Sequence, residues 1–239
     1  MRGMAVSGVL ARAVEHAVTD PVLRPVRWTL EMCRVATMNT CRSDVRIIRQ
    51  GRRITLVEAD LIQQNEVVAT ARALFLRGEP RAIGAEVWAP ACRWSAPPTD
   101  LLPVTAGSRL YYDEVGGWTA EPPAHSAKRN VLWLSGFRIV DCDEPTPFQF
   151  AASTADVASV VGNWGNAGMQ FINADVTLAL ARLPEGPGIG MAALDHVETD
   201  GITTSVVSVF DRTGTLGTAV VCAVANLDVT VDPAESAVR

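Results

Sequence analysis

The sequence lacks the features of several large classes of protein. None of its hydrophobic runs approaches the ~18 residues that a membrane-spanning helix requires. Its 21 basic and 26 acidic residues give a net charge of −5, and no long basic run of the kind that nucleic-acid-binding proteins often present stands out. The remaining composition, 48% hydrophobic and 20% charged over 239 residues, is typical of a globular chain with one large or two small domains.

Cysteine and histidine are few and scattered. The five cysteines are odd in number and contain no CxxC pair, and the three histidines form no HExxH motif. We therefore expect no metal site, and we expect unpaired thiols in a reducing, cytoplasmic location. Arg12, Glu15 and His16 interrupt the apolar N-terminal stretch, which predicts an amphipathic helix rather than a signal peptide.

What the sequence does contain is two similar blocks joined by a proline-rich segment. Residues 1–78 predict a helix followed by four strands, because the hydrophobic period changes from about 3.6 to two. Residues 79–128 hold seven of the 14 prolines and three of the six tryptophans, which predicts a linker that packs on the body with one edge strand near Arg109–Tyr112. Residues 129–239 predict a helix from Pro147 to about Val161 and strands at Val131–Val140, Phe171–Arg182, Gly188–Val197, Gly201–Asp211 and Thr215–Leu227.

The two blocks align without gaps at a constant offset. Thr29 falls on Thr177, and the predicted turn at Gln63–Glu66 falls on the turn at Asp211–Gly214, an offset of 148 residues. Such a repeat indicates duplication of one supersecondary unit. A helix that precedes an antiparallel sheet covers the apolar face of that sheet. We therefore predict an α+β double hotdog, with a β-sandwich carrying peripheral helices as the alternative that the repeated helix-first order disfavours.

Three strings in the second block resemble a known family. They read Phe171-Ile-Asn-Ala-Asp-Val-Thr-Leu, Arg182-Leu-Pro-Glu-Gly and Asp211-Arg-Thr-Gly-Thr-Leu-Gly, and the pair Ala155-Asp156 also fits. They are similar to the acyl-CoA thioesterase II (TesB-like) family of double-hotdog proteins, over about residues 3–78 and 130–227. The resemblance implies hydrolysis of fatty acyl-CoA to free acid and CoA in lipid metabolism, without cofactor or metal, by a homo-oligomer.

The resemblance also implies site residues. Asp175 falls on the family's catalytic Asp, which activates water as a general base. The family's helper hydroxyl should fall near 195–197 and its Gln near 221–222, and neither residue type is there, so Asp195 and His196 are candidate substitutes. We expect helix N-terminal amides at Gly3 and Met4, or at Phe148 and Gln149, to hold the carbonyl oxygen. An arginine cluster, Arg46, Arg49, Arg52 and Arg53, either meets the phosphates of CoA or forms a solvated strand edge.

Other readings of the sequence stay open. With two of three family roles unfilled, a non-hydrolytic acyl-CoA or lipid-binding hotdog protein is the main alternative. A dehydratase-like hotdog is a weaker one, since only His196 offers the histidine of an Asp–His pair. Cys222 lies among valines, so we expect a buried, unreactive thiol. Family members usually have a strand before the first helix; here we expect that strand to be missing, through a late start, a fragment or replacement by another segment, which leaves a bare sheet edge.

Overall fold

The first block folds as its periodicity predicts. The computed structural model describes residues 1–79, 88, 94–101, 107–141 and 143–226. The helix and four strands predicted for the first block are present, with α1 at Gly3–His16, β1 at Leu23–Met32, β2 at Arg42–Gln50, β3 at Ile54–Gln63 and β4 at Glu66–Arg77. The turn between β3 and β4 has positive φ at Gln64 and Asn65, 50° and 65°, as its residue types suggest.

The linker and second block add a longer set of elements. Among the described residues of the linker there are two short strands, where one was predicted, and the strand predicted to reach Val140 ends at Ser135. The elements are β5 Arg109–Asp113, β6 Gly117–Thr119, β7 Val131–Ser135, α2 Pro147–Thr154, a 3-10 turn Ala155–Val157, α3 Ala158–Asn163, β8 Trp164–Gly165, β9 Gly168–Met169, β10 Phe171–Asn173, β11 Asp175–Leu180, β12 Gly188–Thr199, β13 Ile202–Asp211 and β14 Gly214–Ala225. The predicted end of the last strand, Leu227, lies outside the described residues, as do Cys92 and Cys142.

The described strands form one continuous antiparallel sheet and a separate β8–β9 hairpin. The order is β2-β3-β4-β1-β11-β14-β13-β12-β7-β5-β6, and β10 also pairs with β14. The two units join where β1 meets β11, with Thr29 directly opposite Thr177. These residues are equivalent in the 148-residue repeat, so a local twofold relates the two units at this point, as duplication requires.

The helices cover one face of this sheet: α1 packs on β3 and β4, α3 packs on β12, β13 and β14, and α2 crosses α1. Val6, Leu10 and Val14 of α1 are buried against the sheet, as the amphipathic pattern predicts. The helices cross closely because small residues meet at the crossing. Ser7 Oγ donates to the carbonyl of Ala152 (2.6 Å), and Ser153 Oγ donates to the carbonyl of Met4 (2.5 Å).

The face of the sheet opposite the helices carries a second, smaller hydrophobic cluster, and the far end of the sheet is exposed. Trp94 and Trp118 of the linker pack beside a smaller cluster that contains Trp133 and Phe210, as expected of a linker that packs on the body. Trp88 does not follow this expectation, since it is 85% exposed. At the far end, every residue of β2 is exposed, and in the described part of the chain β2 pairs only with β3. An edge of this kind presents unpaired backbone N–H and C=O groups.

Candidate active site

The N-terminus of α1 is completed by a carboxylate from the other unit. The N-cap residue Arg2 makes no side-chain cap. Asp156, in the 3-10 turn after α2, accepts a hydrogen bond from the backbone N–H of Met4. Asn173 Nδ2 donates to Asp156 Oδ1 at 3.3 Å. A Cβ on Gly3 would lie 2.4 Å from Asp156 Oδ1, so only glycine at this position leaves room for the carboxylate.

Asp156 is electrostatically unusual. Burial raises its pKa above the ordinary value, and the hydrogen bond from Asn173, the charge of Arg109 and the Met4 amide offset this only in part. A carboxylate with a raised pKa is a stronger base, and it is better matched to proton transfer at neutral pH. The positive end of the α1 dipole lies beside it and favours negative charge there.

Two cavities adjoin this first turn of α1. One, of about 380 Å³, is bounded by Gly3 and Asn173 and otherwise has mainly apolar walls, including Val6, Met32 and Val68. The other, of about 220 Å³, is bounded by Met4, Arg109, Phe137 and Ile139 among others. Three neighbours of the Asp156 carboxylate, Gly3, Met4 and Asn173, therefore line space that a small apolar ligand could fill.

The N-terminus of α2 has a different arrangement. Thr146 Oγ1 accepts the backbone N–H of Gln149 at 3.1 Å, and Gln149 Nε2 donates to Glu15 Oε2 at 2.7 Å. Phe148 and Gln149 are only 1% and 3% exposed. The amide of Gln149 already has an acceptor and lies away from solvent, so we place no oxyanion site at this helix.

Asp175 lies at the start of β11, on the sheet face away from the helices. Its Oδ1 accepts the backbone N–H of Cys222 at 2.9 Å, and Glu31 is directly opposite on β1. Thr204, the cross-strand partner of Cys222, supplies a hydroxyl to the same cluster. Sequence reasoning placed the helper hydroxyl on β12, whereas this one comes from β13.

Cys222 is exposed, which corrects the expectation of a buried thiol. Partial burial of the sulfur is the largest cause that raises its pKa, and the charge of Asp175 adds to it, so less of the thiol is ionised at neutral pH. The lack of reactivity stays a prediction, now for an exposed thiol whose raised pKa disfavours the reactive thiolate.

Asp195 and His196 lie together on β12 and border a different cavity from the one beside α1. Both are exposed, and Asp195 Oδ1 accepts the backbone N–H of His196 at 2.9 Å. The His196 ring makes an edge contact with Phe171, with centroids 6.4 Å apart. They line a cleft of about 460 Å³, whereas Asn173 and Gly3 line the cavity beside α1.

Two features are absent from the described residues, a membrane-spanning helix and a metal-ligand cluster. None of the helices there is both long and apolar enough to cross a membrane. Over the same residues, no group of three or more His, Cys, Asp or Glu side chains is placed to hold a metal ion.

Comparisons with known proteins agree with the fold. Residues 3–76, which span α1 to β4, match the family model of the acyl-CoA thioesterase N-terminal domain. The structure is similar to the tesB protein of Mycobacterium avium subsp. paratuberculosis (14% identity over 94% of this chain and 87% of that one, TM-score 0.68). It is also similar to an acyl-CoA thioesterase II of Mycobacterium marinum (14% identity over 94% of this chain and 90% of that one, TM-score 0.67). A third similar structure is a hot-dog-fold protein of Alicyclobacillus acidocaldarius (16% identity over 95% of this chain and 88% of that one, TM-score 0.67). No curated protein matches the chain. The predicted α+β hotdog fold and the resemblance to TesB-like thioesterases are confirmed.

Proposed function

We propose that the protein hydrolyses acyl-CoA thioesters to a free acid and CoA at the N-terminus of α1. The observation that carries this proposal is the carboxylate of Asp156, whose pKa is raised and which is held on the Met4 amide beside a mainly apolar cavity. The match of residues 3–76 to an acyl-CoA thioesterase N-terminal domain supports the substrate class, because that segment contains α1 itself.

The proposed chemistry uses groups that already meet at this site. Asp156 removes a proton from water, and the oxygen of that water attacks the thioester carbonyl carbon. The carbonyl oxygen becomes negative and is stabilised by the Gly3 amide at the positive end of α1 and by Asn173 Nδ2. When this intermediate collapses, the C–S bond breaks, and the CoA thiolate takes the proton from Asp156. The products are one carboxylic acid and one thiol.

The cavity beside α1 supports an acyl substrate. Its volume of about 380 Å³ lies within the range of small-molecule sites, and its walls combine apolar side chains with the polar groups of Gly3 and Asn173. An acyl chain among Val6, Met32 and Val68 would place its thioester at the helix end. Hydrolysis rates for acyl-CoAs of increasing chain length would measure which chains this cavity accepts.

Asp175, the general base that the family motif implies, is the competing assignment. It is partly buried, it accepts the Cys222 amide, and it has a hydroxyl neighbour in Thr204 through the thiol. It lies on the outer face of the sheet, whereas Asp156 lies beside the cavity at the helix end. The geometry therefore favours Asp156, and the two assignments predict different variants to be inactive.

Thiol release from a panel of acyl-CoAs of increasing chain length tests the proposal. We expect Asp156→Asn to lose at least about a hundredfold in kcat, the usual contribution of one acid–base residue. Asp175→Asn should keep most activity, and Asp100→Asn, which lies outside the cavities described above, serves as an exposed-carboxylate control. Activity lost only in Asp175→Asn would overturn the role of Asp156. Binding without turnover at every chain length would support the non-hydrolytic alternative and refute hydrolysis.

We propose a cytoplasmic homo-oligomer that acts on fatty acyl-CoA in lipid metabolism. Sedimentation equilibrium of the full chain tests the assembly, and a single species at the monomer mass would refute it.

A further inference from the structure

A cleft of about 460 Å³ lies outside the candidate active site. Three segments form it: residues 127–130 before β7, residues 161–165 at the end of α3, and residues 193–196 of β12. The β12 segment bulges here, since its register against β13 shifts between Ala193 and Asp195. We call this the Asn163 cleft, after a buried polar side chain in its wall.

Asn163 has an unused hydrogen-bond donor. The residue is only 5% exposed, and its Oδ1 accepts the hydroxyl of Thr203 at 3.1 Å and that of Ser205 at 3.5 Å. Its Nδ2 has no hydrogen-bond partner among the described residues. The two atoms of an amide diverge, so Nδ2 is turned away from Thr203 and Ser205. A buried polar group of this kind normally has a partner, which points to a ligand with an acceptor oxygen.

The walls and opening of the cleft narrow the ligand class. Asn130 Nδ2 donates to the carbonyl of Trp164 at 2.7 Å and so ties the 127–130 segment to the end of α3. Val161, Phe171 and Ala193 give apolar walls. Three exposed charged side chains, Lys128, Arg129 and Asp195, also line the cleft, and Lys128 Nζ lies 3.8 Å from Asp113 Oδ2. Such a site suits a chain of methylene groups with an internal carbonyl and a terminal anion.

The cleft also lies close to the candidate active site. Phe171 lines the cleft and Asn173 lines the cavity beside α1, and both belong to β10. Residues two apart on a strand face the same side at a spacing of roughly 7 Å. A substrate whose thioester lies at Asn173 would therefore have its thiol arm within reach of the cleft.

We infer that the Asn163 cleft binds the pantetheine arm and phosphates of CoA. Asn163 Nδ2 donates to an amide carbonyl of the arm, and Lys128 and Arg129 bind the phosphate groups. This inference rests on the proposed hydrolysis for its substrate, but it concerns binding and has a readout that does not require turnover.

Calorimetric titration of the full chain with CoA, 3′-dephospho-CoA and pantetheine tests the inference. We expect Lys128→Ala/Arg129→Ala to weaken CoA binding by about tenfold and to leave pantetheine binding unchanged. Asn163→Leu should weaken both. Because that variant also loses bonds to Thr203 and Ser205, Gly165→Leu is a second block of the cleft, and a Cβ at Gly165 meets no atom within 4 Å.

Arg49→Ala/Arg52→Ala is the matched control, since it removes the same charge from the arginine cluster near β2. Its CoA affinity should equal that of the wild type. CoA binding that is unchanged in both Lys128→Ala/Arg129→Ala and Gly165→Leu would overturn the inference, as would loss of binding only in the control. CoA binding lost in the cleft variants, with no acyl-CoA turnover by the wild type, would support the cleft and refute the hydrolysis. Turnover with no effect of the cleft variants would do the reverse.

Discussion

Replacing Gly3 by Ala tests the geometry of the candidate site most directly. A Cβ at Gly3 would lie 2.4 Å from Oδ1 and 2.5 Å from Cγ of Asp156, whereas ordinary contact begins at 3.4 Å. The carboxylate must therefore retreat by about 1 Å, and a misplacement of that size costs about a hundredfold in rate. We expect kcat/KM of Gly3→Ala to fall by about that factor in the thiol-release assay.

The stability of Gly3→Ala should change far less than its activity, because two effects oppose each other. Overpacking typically costs about 1–3 kcal/mol. The better helix propensity of alanine returns up to about 1 kcal/mol. The net loss in the free energy of unfolding is then about 0–3 kcal/mol, which is less than the ~5–15 kcal/mol of a typical domain. Urea denaturation measures this, and a folded variant with low activity separates misplacement from unfolding.

Gly78→Ala is the control, since a Cβ at Gly78 meets no atom within 4 Å. In an Asp156→Ala background the added methyl displaces no carboxylate, so Gly3→Ala should be neutral or stabilising there. Wild-type kcat/KM in Gly3→Ala would refute the placement of Asp156 at the reacting centre. Strictly additive unfolding free energies in the double variant would refute the contact itself.

Replacing Asp211 and replacing Asp156 by Asn should change the free energy of unfolding at pH 7 in opposite directions. Burial acts to raise the pKa of Asp211, but two 2.7 Å hydrogen bonds from Arg182, with those from Glu185 and Thr213, hold it well below its usual range. Asp211→Asn should lower the free energy of unfolding by about 3–5 kcal/mol in urea at pH 7, and the wild-type advantage should decline as the pH falls below 3.8; an advantage independent of pH would contradict this. The pKa of Asp156 is raised, so its ionisation costs stability as the pH rises above 3.8. Asp156→Asn should therefore be more stable than wild type at pH 7 while losing activity, and lower stability at pH 7 with equal stability at pH 3 would contradict that reasoning.

The order of elements could be predicted because it depends on local sequence. Hydrophobic period and turn residues are properties of short segments, and the turn with positive φ at Gln64 and Asn65 follows from residue type. The break in the strand predicted at Phe171–Arg182 depends on its neighbours instead. There the N–H of Ala174 donates to the carbonyl of Cys222, and the carbonyl of Ala174 accepts from Met32. No pattern within residues 171–182 records those two partners.

That break also explains why the candidate site was only partly predictable. Asn173 pairs with Ala223 of β14, whereas Thr177 pairs with Val220, so the register shifts by one residue between them. An unbroken strand would place Asn173 and Asp175 on one face. The shift instead directs Asn173 to Asp156 and the helices, and Asp175 to the opposite face. The family motif contains both Asn173 and Asp175, but the face that each side chain takes is a tertiary property.

Duplication would give the molecule two equivalent helix ends, and their difference indicates which one carries the site. At α2, Thr146 accepts the Gln149 amide and also donates to Glu15, so the acid from the other helix meets side chains that already cap the helix. At α1, Arg2 supplies no side-chain cap, and the acid from the other unit, Asp156, reaches the helix amides itself. A cap within the helix's own segment stabilises that helix end. An end whose amide is held by a titratable group from another unit can change its partner when substrate arrives, and this asymmetry favours one active site per chain.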